Sequence, residues 1–434
     1  MPRPSCRGRP FGSTIMSSGL IPASGWAHLH LMGYAKSRIT KSMAAKKLFL
    51  SHFNGDAAEA RGLAAQLRLH GITPWVDKDG GFQIGDHSPS EARRAIREDC
   101  FGLLLYATEA AFHREFIRDV EIDEARKVRE LDPHFLLFAV PRRMDFECLA
   151  QRSQEAFGYD LSAFHTVALP EGCDLNASFR RVAMVVLDRV LRRASASDGR
   201  ASISMQFSTR ELLPDEPDDI LRIDATRRRD APDQDERAGE QLLVALKDVK
   251  SKVAEVFGRP RVMVHGSKHL SAAFTFGRIF ALFHIDIRQT AHEVWSTHGQ
   301  HPSRCPLAVS REEGSGHRRL FVEVASRLKN VGAGVDHFIR RTGIEPSMRL
   351  QVWPAGEPLD LDNALCLAMV HQVYAEIERA MRDHPAHELH IFPAAPQAFM
   401  MMLGREFKGM PPTCVYDWTG TQYELGCRVP GGVL

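Results

Sequence analysis

The sequence predicts an α/β protein of two domains, and three observations support that prediction. The chain has 434 residues, which is room for two domains of about 100–200 residues each. Between residue 46 and about residue 195, short apolar runs of strand length alternate with helical patterns, as in a parallel, doubly wound sheet. Beyond residue 205, two strand–turn–helix segments resemble each other, which indicates a duplicated α/β unit.

The first domain is expected to contain five parallel strands joined by helices, an arrangement of flavodoxin-like type. The predicted strands are Leu48–Ser51, Ile72–Val76, Phe101–Tyr106, Phe135–Val140 and Thr166–Leu169. The predicted helices are Ala57–His70, Glu91–Arg97, Phe116–Leu131 and Leu175–Arg193. Each strand–helix–strand connection takes a right-handed crossover by default, and these crossovers place helices on both faces of the sheet.

The composition excludes several classes of protein. The formal net charge is +2, so the chain lacks the basic character of proteins that bind long nucleic acids or anionic membranes. Eight cysteines are scattered from Cys6 to Cys427 without CxxC pairs or zinc-ligand spacing, which predicts free thiols in the cytoplasm and no metal site. No apolar run approaches the ~20 residues that a membrane-spanning helix needs.

The domain boundaries are predicted from shifts in composition. Residues 1–43 contain no Asp or Glu and several prolines and glycines, so we expect a disordered basic leader, with Met43 opening the folded part. The first domain is predicted at 44–195, a linker that is Ser/Ala-rich at its start at 196–210, and the second domain at 211–434.

The second domain contains the internal repeat. The segment from Val264 reads VHGSKHLSAAFTFGR, and the segment from Ile391 reads IFPAAPQAFMMMLGR. Both place a Gly-Arg pair at the same distance from the strand, at Gly277 and Gly404, and both are followed by another strand-like run. We therefore expect two fused α/β halves of Rossmann type.

Polar and aromatic side chains follow the first two predicted strands and point to a pocket. The residues concerned are Ser51, His52, Phe53, Asn54, Trp75 and Asp77. The carboxyl ends of parallel strands meet at one edge of the sheet, where open α/β sheets bind their ligands. An aromatic ring with a few convergent polar groups suits a nucleotide or a nucleoside.

Glu91 opens the helix that follows this pocket, and two roles for it are compatible. Ser88 and Glu91 have the spacing of a capping box, with Pro89 at the first helical position, which predicts a helix cap. A carboxylate in the first helical turn is also favoured by the helix dipole in its ionised form. An ionised carboxylate beside a ribose would stabilise an oxocarbenium-like transition state.

Other nucleotide-binding classes lack support in the sequence. No GxGxxG follows the first strand and no GxxxxGK[ST] motif occurs, so hydride transfer and P-loop chemistry lose their usual signatures. A response-regulator receiver would need acidic residues after the first strand and an aspartate at the end of the third. The chain has Ser51–Asn54 and Tyr106–Thr108 at those positions.

The segments LFLSHFNGD, HGITPWVDKDG, IGDHSPSEARRAIREDCFGLLLYATEAAF and FIRDVEIDEARK resemble a TIR domain over about residues 46–169. The resemblance implies an enzyme that cleaves the nicotinamide–ribose bond of NAD⁺, with Glu91 as the catalytic glutamate and the six pocket residues as contacts to NAD⁺. It also implies that the loop after the second strand is the mobile BB loop of that family. NAD⁺ is then a substrate, and no cofactor is expected.

The segments HGSKHLSAAFTFGR, LFVEVASR, LHIFPAAPQAFMMMLGREF and CVYDW resemble the SAVED domain over about residues 205–423. SAVED domains are sensors of bacterial CBASS antiphage defence that look like two fused CARF-like halves. The resemblance implies a cyclic trinucleotide ligand, typically cyclic tri-adenylate. The residues expected to contact it are His265, Gly266, Ser267, Lys268, His269, Ser326, Arg327, Phe392, Pro393, Ala394 and Trp418.

Together the two resemblances imply a ligand-gated NAD⁺ glycohydrolase that acts as an abortive-infection effector. Ligand binding would promote a homo-oligomer or filament, in which the BB loop of one subunit completes the pocket of the next. Nicotinamide and ADP-ribose are the expected products. Two alternatives stay open: a TIR scaffold without enzymatic activity that ligand binding assembles, and a cyclase that makes a cyclic ADP-ribose messenger.

Overall fold

The computed structural model describes residues 47–75, 88–198, 202–214, 216–226, 238–290, 293–300, 302, 305–326, 331–356 and 361–432. The predicted leader, Asp77 and its loop, and Arg327 lie outside these ranges. None of the helices in these ranges is both long and apolar enough to span a membrane.

The described residues of the first domain form five strands and six α-helices. The strands are β1 (Lys47–Ser51), β2 (Thr73–Trp75), β3 (Cys100–Ala107), β4 (Leu136–Pro141) and β5 (His165–Thr166). The helices are α1 (Ala57–Leu69), α2 (Pro89–Arg94), α3 (Glu109–Phe112), α4 (Asp123–Leu131), α5 (Phe146–Phe157) and α6 (Leu175–Asp198). A π-helical turn continues α2 over Ala95–Asp99, and another precedes α4 over Ile117–Ile122.

The strands of the first domain form a parallel sheet of order β2-β1-β3-β4-β5. This is the strand order of flavodoxin-like doubly wound sheets, as the alternation of strands and helices predicted. β3 is the central strand, and all eight of its residues are buried. Hydrophobic clusters cover both faces of the sheet, because its interior strands are apolar on both sides.

The second domain contains two further sheets. Its strands are β6 (Ser202–Ser208), β7 (Asp219–Asp224), β8 (Arg261–His265), β9 (His284–Arg288), β10 (Val294–Ser296), β11 (Leu307–Glu313), β12 (Arg319–Ala325), β13 (Met348–Pro354), β14 (Glu388–Ala394), β15 (Thr413–Trp418) and β16 (Tyr423–Val429). Its helices are α7 (Ala238–Phe257), α8 (Leu270–Ile279), α9 (Gly332–Thr342), α10 (Asn363–Asp383) and α11 (Gln397–Glu406).

Each sheet of the second domain is parallel at its centre and antiparallel at an edge. The strand orders are β10-β9-β8-β6-β7 and β11-β13-β12-β14-β15-β16. β10, β11 and β16 run antiparallel to their neighbours. The two sheets share one hydrophobic core with the helices between them, so the halves predicted from the repeat are fused into a single unit.

The Gly-Arg pairs of the repeat lie where α8 and α11 cross. A Cβ atom at Gly277 would overlap the carbonyl oxygen of Met401, and a Cβ atom at Gly404 would overlap that of Phe274. Each glycine therefore meets the backbone three residues before its counterpart, as a pseudo-two-fold relation between the helices requires. The repeat is explained by this contact, since only glycine allows so close a crossing.

The connection between the domains differs from the prediction. The predicted linker at 196–210 contains β6, which lies between β7 and β8 in the second sheet. Helix α6 runs from the first domain to Asp198. Phe179 packs in the core of the first domain, whereas Leu187 and Leu191 pack in the core of the second. One continuous helix thus belongs to both domains.

Candidate functional site

A cleft of about 530 Å³ opens where the two halves of the second domain meet. Its walls come from the ends of β8 and β9, from the turn between β14 and α11, and from the segment that follows β6. The lining residues are Arg210, Leu213, Gly266, Ser267, Lys268, Leu270, Ile287, Arg288, Gln289, Ala395, Pro396 and Gln397. The volume is typical of small-molecule sites, and the position at the carboxyl ends of parallel strands is where α/β sheets bind ligands.

Lys268 is the most unusual side chain of the cleft. It is 2% exposed, and its Nζ donates a hydrogen bond to the carbonyl oxygen of Gly266 at 2.7 Å. The same nitrogen lies 5.9 Å from the ring centre of Phe207. Burial lowers the pKa of Lys268 to about 7, because the ammonium group is removed from water and no carboxylate in the described part of the chain pairs with it. An anion in the cleft would supply that missing charge.

The charge of the cleft favours an anionic ligand. Arg210 and Arg288 line it together with Lys268, and no carboxylate is among the described lining residues. Arg288 forms an ion pair with Glu216, which is not among the lining residues. The first residues of α8 and α11 also reach the cleft, so two positive helix ends face it.

The predicted ligand contacts of the second domain divide into two groups. Gly266, Ser267 and Lys268 line the cleft, as expected from the turn after β8. The other described candidates do not line it, and they are His265, His269, Ser326, Phe392, Pro393, Ala394 and Trp418. The second repeat does contribute to the cleft, but through Ala395, Pro396 and Gln397. These residues directly follow the predicted ones, Phe392, Pro393 and Ala394.

Contacts with neighbouring residues explain why three of these candidates do not line the cleft. The Nε2 atom of His265 bonds to Asp219 at 2.8 Å, and its ring is buried. Phe392 is 0% exposed and stacks on Tyr416 in a separate aromatic cluster. Trp418 is exposed but packs edge-on against Tyr423. Apolar packing or an internal partner holds each of these side chains away from the cleft.

Four lining residues were not predicted from the sequence, and they are Arg210, Arg288, Gln289 and Gln397. Arg288 and Gln289 come at the end of the predicted strand LFHIDIR, and the rule about the carboxyl ends of strands could have found them. Arg210 follows β6, which was assigned to the linker. Gln397 follows the proline turn and opens α11.

In the first domain, the end of β1 meets a buried carboxyl group. The Oγ atom of Ser51 donates a hydrogen bond to Glu121 at 2.5 Å. Glu121 lies in the π-helical turn before α4 and is 9% exposed. Burial raises the pKa of Glu121 to about 7, partly offset by the bond from Ser51. A titratable group with a perturbed pKa beside a predicted pocket residue is a candidate for catalysis.

Glu91 stands at the third position of α2, as predicted. Its backbone N–H donates to the Oγ atom of Ser88 at 3.3 Å, so the capping interaction at the start of the helix is present. The helix packs against the π-helical turn that carries Glu121, and Arg93 bonds to the carbonyl oxygen of Asp119 in that turn. Both glutamates therefore lie on adjoining elements.

The remaining pocket candidates have defined partners. Trp75 stacks on Phe49 with ring centres 5.0 Å apart, and the guanidinium group of Arg114 lies 4.5 Å from the ring centre of Phe53. Burial lowers the pKa of His52, which keeps its ring neutral near pH 7. Asn54 begins an exposed 3₁₀ turn.

The sequence holds a signal for Glu121 that was not used. In FIRDVEIDEARK, residues 117, 120, 121, 124 and 125 lie on one helical face, and Ile117, Val120 and Ala125 are buried. Glu121 and Glu124 occupy core positions on that face. Arg97 pairs with Glu124, whereas Ser51 bonds to Glu121. A carboxyl group at an apolar position is the informative observation.

Two groups of side chains could hold a cation in the described part of the chain. They are Glu388, His390 and Cys414, and Glu216, Asp219 and His265. In both groups an arginine is paired with a carboxylate: Arg428 with Glu388 at 2.7 Å, and Arg288 with Glu216. Because a guanidinium group already neutralises the carboxylate, we assign neither group to a metal.

Comparisons with known proteins identify part of the second domain. The model of the family described as "SMODS-associated and fused to various effectors sensor domain", or SAVED, matches residues 245–429. CD-NTase-associated protein 4 of an Acinetobacter species is 22% identical over 169 residues, which are 38% of this chain and 36% of that protein. The chain thus matches about a third of the length of that curated relative.

Solved structures of SAVED/CARF-domain containing receptors are also similar. The Cap4 receptor of Acinetobacter baumannii, solved with the cyclic trinucleotide 3′3′3′-cAAA, has a TM-score of 0.46 and 13% identity over 79% of this chain and 86% of that chain. The Cap4 receptor of Moraxella osloensis has a TM-score of 0.40 and 13% identity over 94% and 100%.

The family match confirms the SAVED resemblance that the repeated motifs suggested and leaves the five-stranded sheet of the first domain outside it. The C-terminal half of this chain contains a SAVED sensor domain, matched over residues 245–429.

Proposed function

We propose that the protein is a cyclic-oligonucleotide receptor of CBASS antiphage defence, in which the SAVED domain controls an NAD⁺-cleaving TIR domain. The observation that carries the sensor half of this proposal is the cleft around Lys268. It combines two helix N-termini with three cationic side chains, Arg210, Arg288 and the buried Lys268, and Lys268 has no carboxylate partner among the described residues. A ligand with several phosphates and flat bases matches these features.

Cyclic tri-adenylate, the ligand of the Acinetobacter baumannii receptor, is the probe for the sensor. Its phosphates would bond to Lys268, Arg210 and Arg288 and to the backbone N–H groups of Gly266 and Ser267. Calorimetric titration should show saturable binding to the full chain. Lys268→Gln should weaken binding, whereas Lys408→Gln, at an exposed lysine of the same domain, should not. Equal loss in both variants would contradict the assignment of the cleft.

The proposed reaction is hydrolysis of the N-glycosidic bond of NAD⁺. Water adds to C1′ of the ribose, the C1′–N bond breaks with its electron pair going to nicotinamide, and one proton is released. Ser51, the ring of Trp75 and the carboxyl groups of Glu91 and Glu121 are the groups that would surround the ribose. A carboxylate stabilises the positive charge that develops at C1′ as nicotinamide leaves.

Glu91 and Glu121 are both candidates for that carboxylate. Glu91 lies in the first turn of α2, at the position that the TIR resemblance implies for the catalytic glutamate. Glu121 has burial, a bond to Ser51 at the end of β1, and a pKa raised to about 7, which suits proton transfer near neutral pH. Nicotinamide release by Glu91→Gln and Glu121→Gln identifies which of them carries the reaction, since the amide keeps the shape and removes the charge.

We propose that oligomerisation links ligand binding by the sensor to NAD⁺ cleavage by the first domain. Light scattering should show ligand-induced growth of the particle, with nicotinamide release appearing at the same ligand concentration. Ligand-induced oligomers without loss of NAD⁺ would favour the scaffold alternative. Chromatography of the products would separate a hydrolase, which makes linear ADP-ribose, from a cyclase.

A further inference from the structure

The two halves of the second domain contribute different chemistry to the cleft. The lining side chains with a positive charge all come from the half that contains β6 to β10, and they are Arg210, Lys268 and Arg288. The half that contains β11 to β16 contributes Ala395, Pro396 and Gln397, and none of these carries a charge. The phosphates of a ligand therefore face the first half, and its bases are left for the second.

The internal repeat shows where the two halves have diverged. Counted from the start of each repeat, Lys268 corresponds to Ala395, and Leu270 corresponds to Gln397. Leu270 and Gln397 are each the first residue of their helix, α8 and α11. Where the first half has a buried ammonium group, the second half therefore has a methyl group, and an amide side chain lies two residues further on.

The turn of the second half is poorly suited to a phosphate. Pro393 and Pro396 have no backbone N–H to donate, whereas no proline occurs in the corresponding turn after β8. Ala395 and Pro396 line the cleft with apolar groups. An apolar wall beside a single hydrogen-bonding group suits a flat base whose edge must be recognised.

Gln397 is the hydrogen-bonding group of this wall. Its side chain is partly exposed, and no hydrogen bond joins its amide to another residue that the structure describes. The amide offers a donor and an acceptor side by side. The N6/N7 edge of adenine presents an acceptor and a donor in the matching arrangement, whereas the same edge of guanine or hypoxanthine presents two acceptors.

We propose that Gln397 determines which base the sensor accepts, by pairing its amide with the N6/N7 edge of one adenine that packs on Ala395 and Pro396. The inference rests on the proposed function of the cleft as a receptor for a cyclic trinucleotide, and it adds the group that recognises the base. Gln289 also lines the cleft, but it follows Arg288 on the cationic side. We expect Gln289 to leave the base preference unchanged.

Cyclic tri-adenylate and cyclic tri-inosinate test this pairing, because hypoxanthine replaces the N6 amino group of adenine by a carbonyl oxygen. In calorimetric titration of the full chain, the Kd for cyclic tri-inosinate should be roughly 5- to 100-fold higher than that for cyclic tri-adenylate. Gln397→Met keeps the length of the side chain and removes its hydrogen bonds, so the two Kd values should become nearly equal. Gln289→Met, the same change on the other side of the cleft, should keep the ratio of the parent protein.

The outcomes separate this inference from the proposed function. An unchanged ratio in Gln397→Met, or equal Kd values for the two ligands in the parent protein, would overturn the role of Gln397 and leave the cleft a receptor. No saturable binding of either ligand to the parent protein would contradict the proposed function and the base preference together. Gln397→Ala, which cannot overfill the site, should lose the preference in the same way and guards against misfolding of the methionine variant.

Discussion

Removing the ammonium group of Lys268 should stabilise the sensor and at the same time weaken its response to the ligand. The pKa of this lysine falls from 10.5 to about 7 because the group is buried. That difference corresponds to about 5 kcal/mol in favour of the neutral form. The unfolded chain keeps the ordinary value, so folding at neutral pH must remove a proton or bury a charge.

The sign of the pH dependence of stability follows from the number of protons that the folded and unfolded states bind at Lys268. Between about pH 7 and pH 10.5 the unfolded state binds more protons at this site than the folded state, so the free energy of unfolding rises with pH. Below pH 7 the folded state carries the full cost of burying the charged Lys268 side chain. At pH 7, Lys268→Met should raise the free energy of unfolding by about 2–4 kcal/mol, after allowance for the lost bond to Gly266. This corresponds to a rise in Tm of roughly 5–10 °C.

Ligand binding should weaken as the pH rises, whereas the free energy of unfolding increases. A phosphate beside Lys268 favours the ammonium form, so binding above pH 7 takes up a proton. The Kd of the parent protein for cyclic tri-adenylate should increase about 10- to 30-fold from about pH 6.5 to about pH 8.5. Arg210 and Arg288 stay charged over this range and add no pH dependence.

The assays are calorimetric titration at several pH values and thermal unfolding of Lys268→Met beside Lys408→Met. We expect the first variant to be more stable, to bind at least tenfold more weakly and to show no dependence of Kd on pH. A Kd that is constant with pH in the parent protein, or a Lys268→Met variant that is less stable than the parent, would refute the reasoning about the buried ammonium group.

Further predictions concern the first domain and the helix crossing. Nicotinamide release should fall at least 10²-fold in whichever of Glu91→Gln and Glu121→Gln removes the carboxylate that stabilises the charge at C1′. Glu121→Gln removes the carboxyl group that Ser51 contacts. It should also raise Tm at pH 8: since folding raises the pKa of this carboxyl to about 7, its contribution to stability is present at acidic pH and is lost as pH rises through 7. Glu91→Ala should cost up to about 0.5–1 kcal/mol through the helix dipole, and comparison of its activity with that of Glu91→Gln separates charge from helix stability. Gly277→Ala and Gly404→Ala should each destabilise the sensor by about 1–3 kcal/mol or more in urea unfolding, because a Cβ atom has no room at the crossing of α8 and α11. Gly356→Ala, where the space is open, is the control, and an equal effect there would contradict the explanation of the repeat.

The pattern of apolar residues along the chain predicted much of the fold, because it indicates which faces of strands and helices are buried. The buried strand β3 was predicted within one residue at each end, since FGLLLY is apolar on both faces and has the length of a strand. The Gly-Arg repeat by itself indicates that the second domain has two halves. The helix Phe146–Phe157 was missed because polar residues interrupt its apolar face. β6 was missed because its serines resemble a linker, although Ile203, Met205 and Phe207 alternate as a strand requires.

The candidate sites were harder to predict because they assemble residues that are distant in sequence. The turn containing Gly266, Ser267 and Lys268 was identified from its place after a strand, but the burial of Lys268 depends on tertiary packing. Ser51 was chosen from its strand end, whereas its partner Glu121 comes from 70 residues further along. Nothing in local sequence indicates such a pairing, apart from a carboxyl group on an apolar helical face.

The central claim is that the sensor cleft controls NAD⁺ cleavage by the first domain. The most direct test is nicotinamide release from NAD⁺ by the purified full chain, with and without cyclic tri-adenylate, for the parent protein and for Lys268→Gln. We predict little release without ligand, rapid release with ligand, and a shift of the ligand response of Lys268→Gln to at least tenfold higher concentration. Equal rates of release with and without ligand, or no release from ligand-bound protein, would contradict the account.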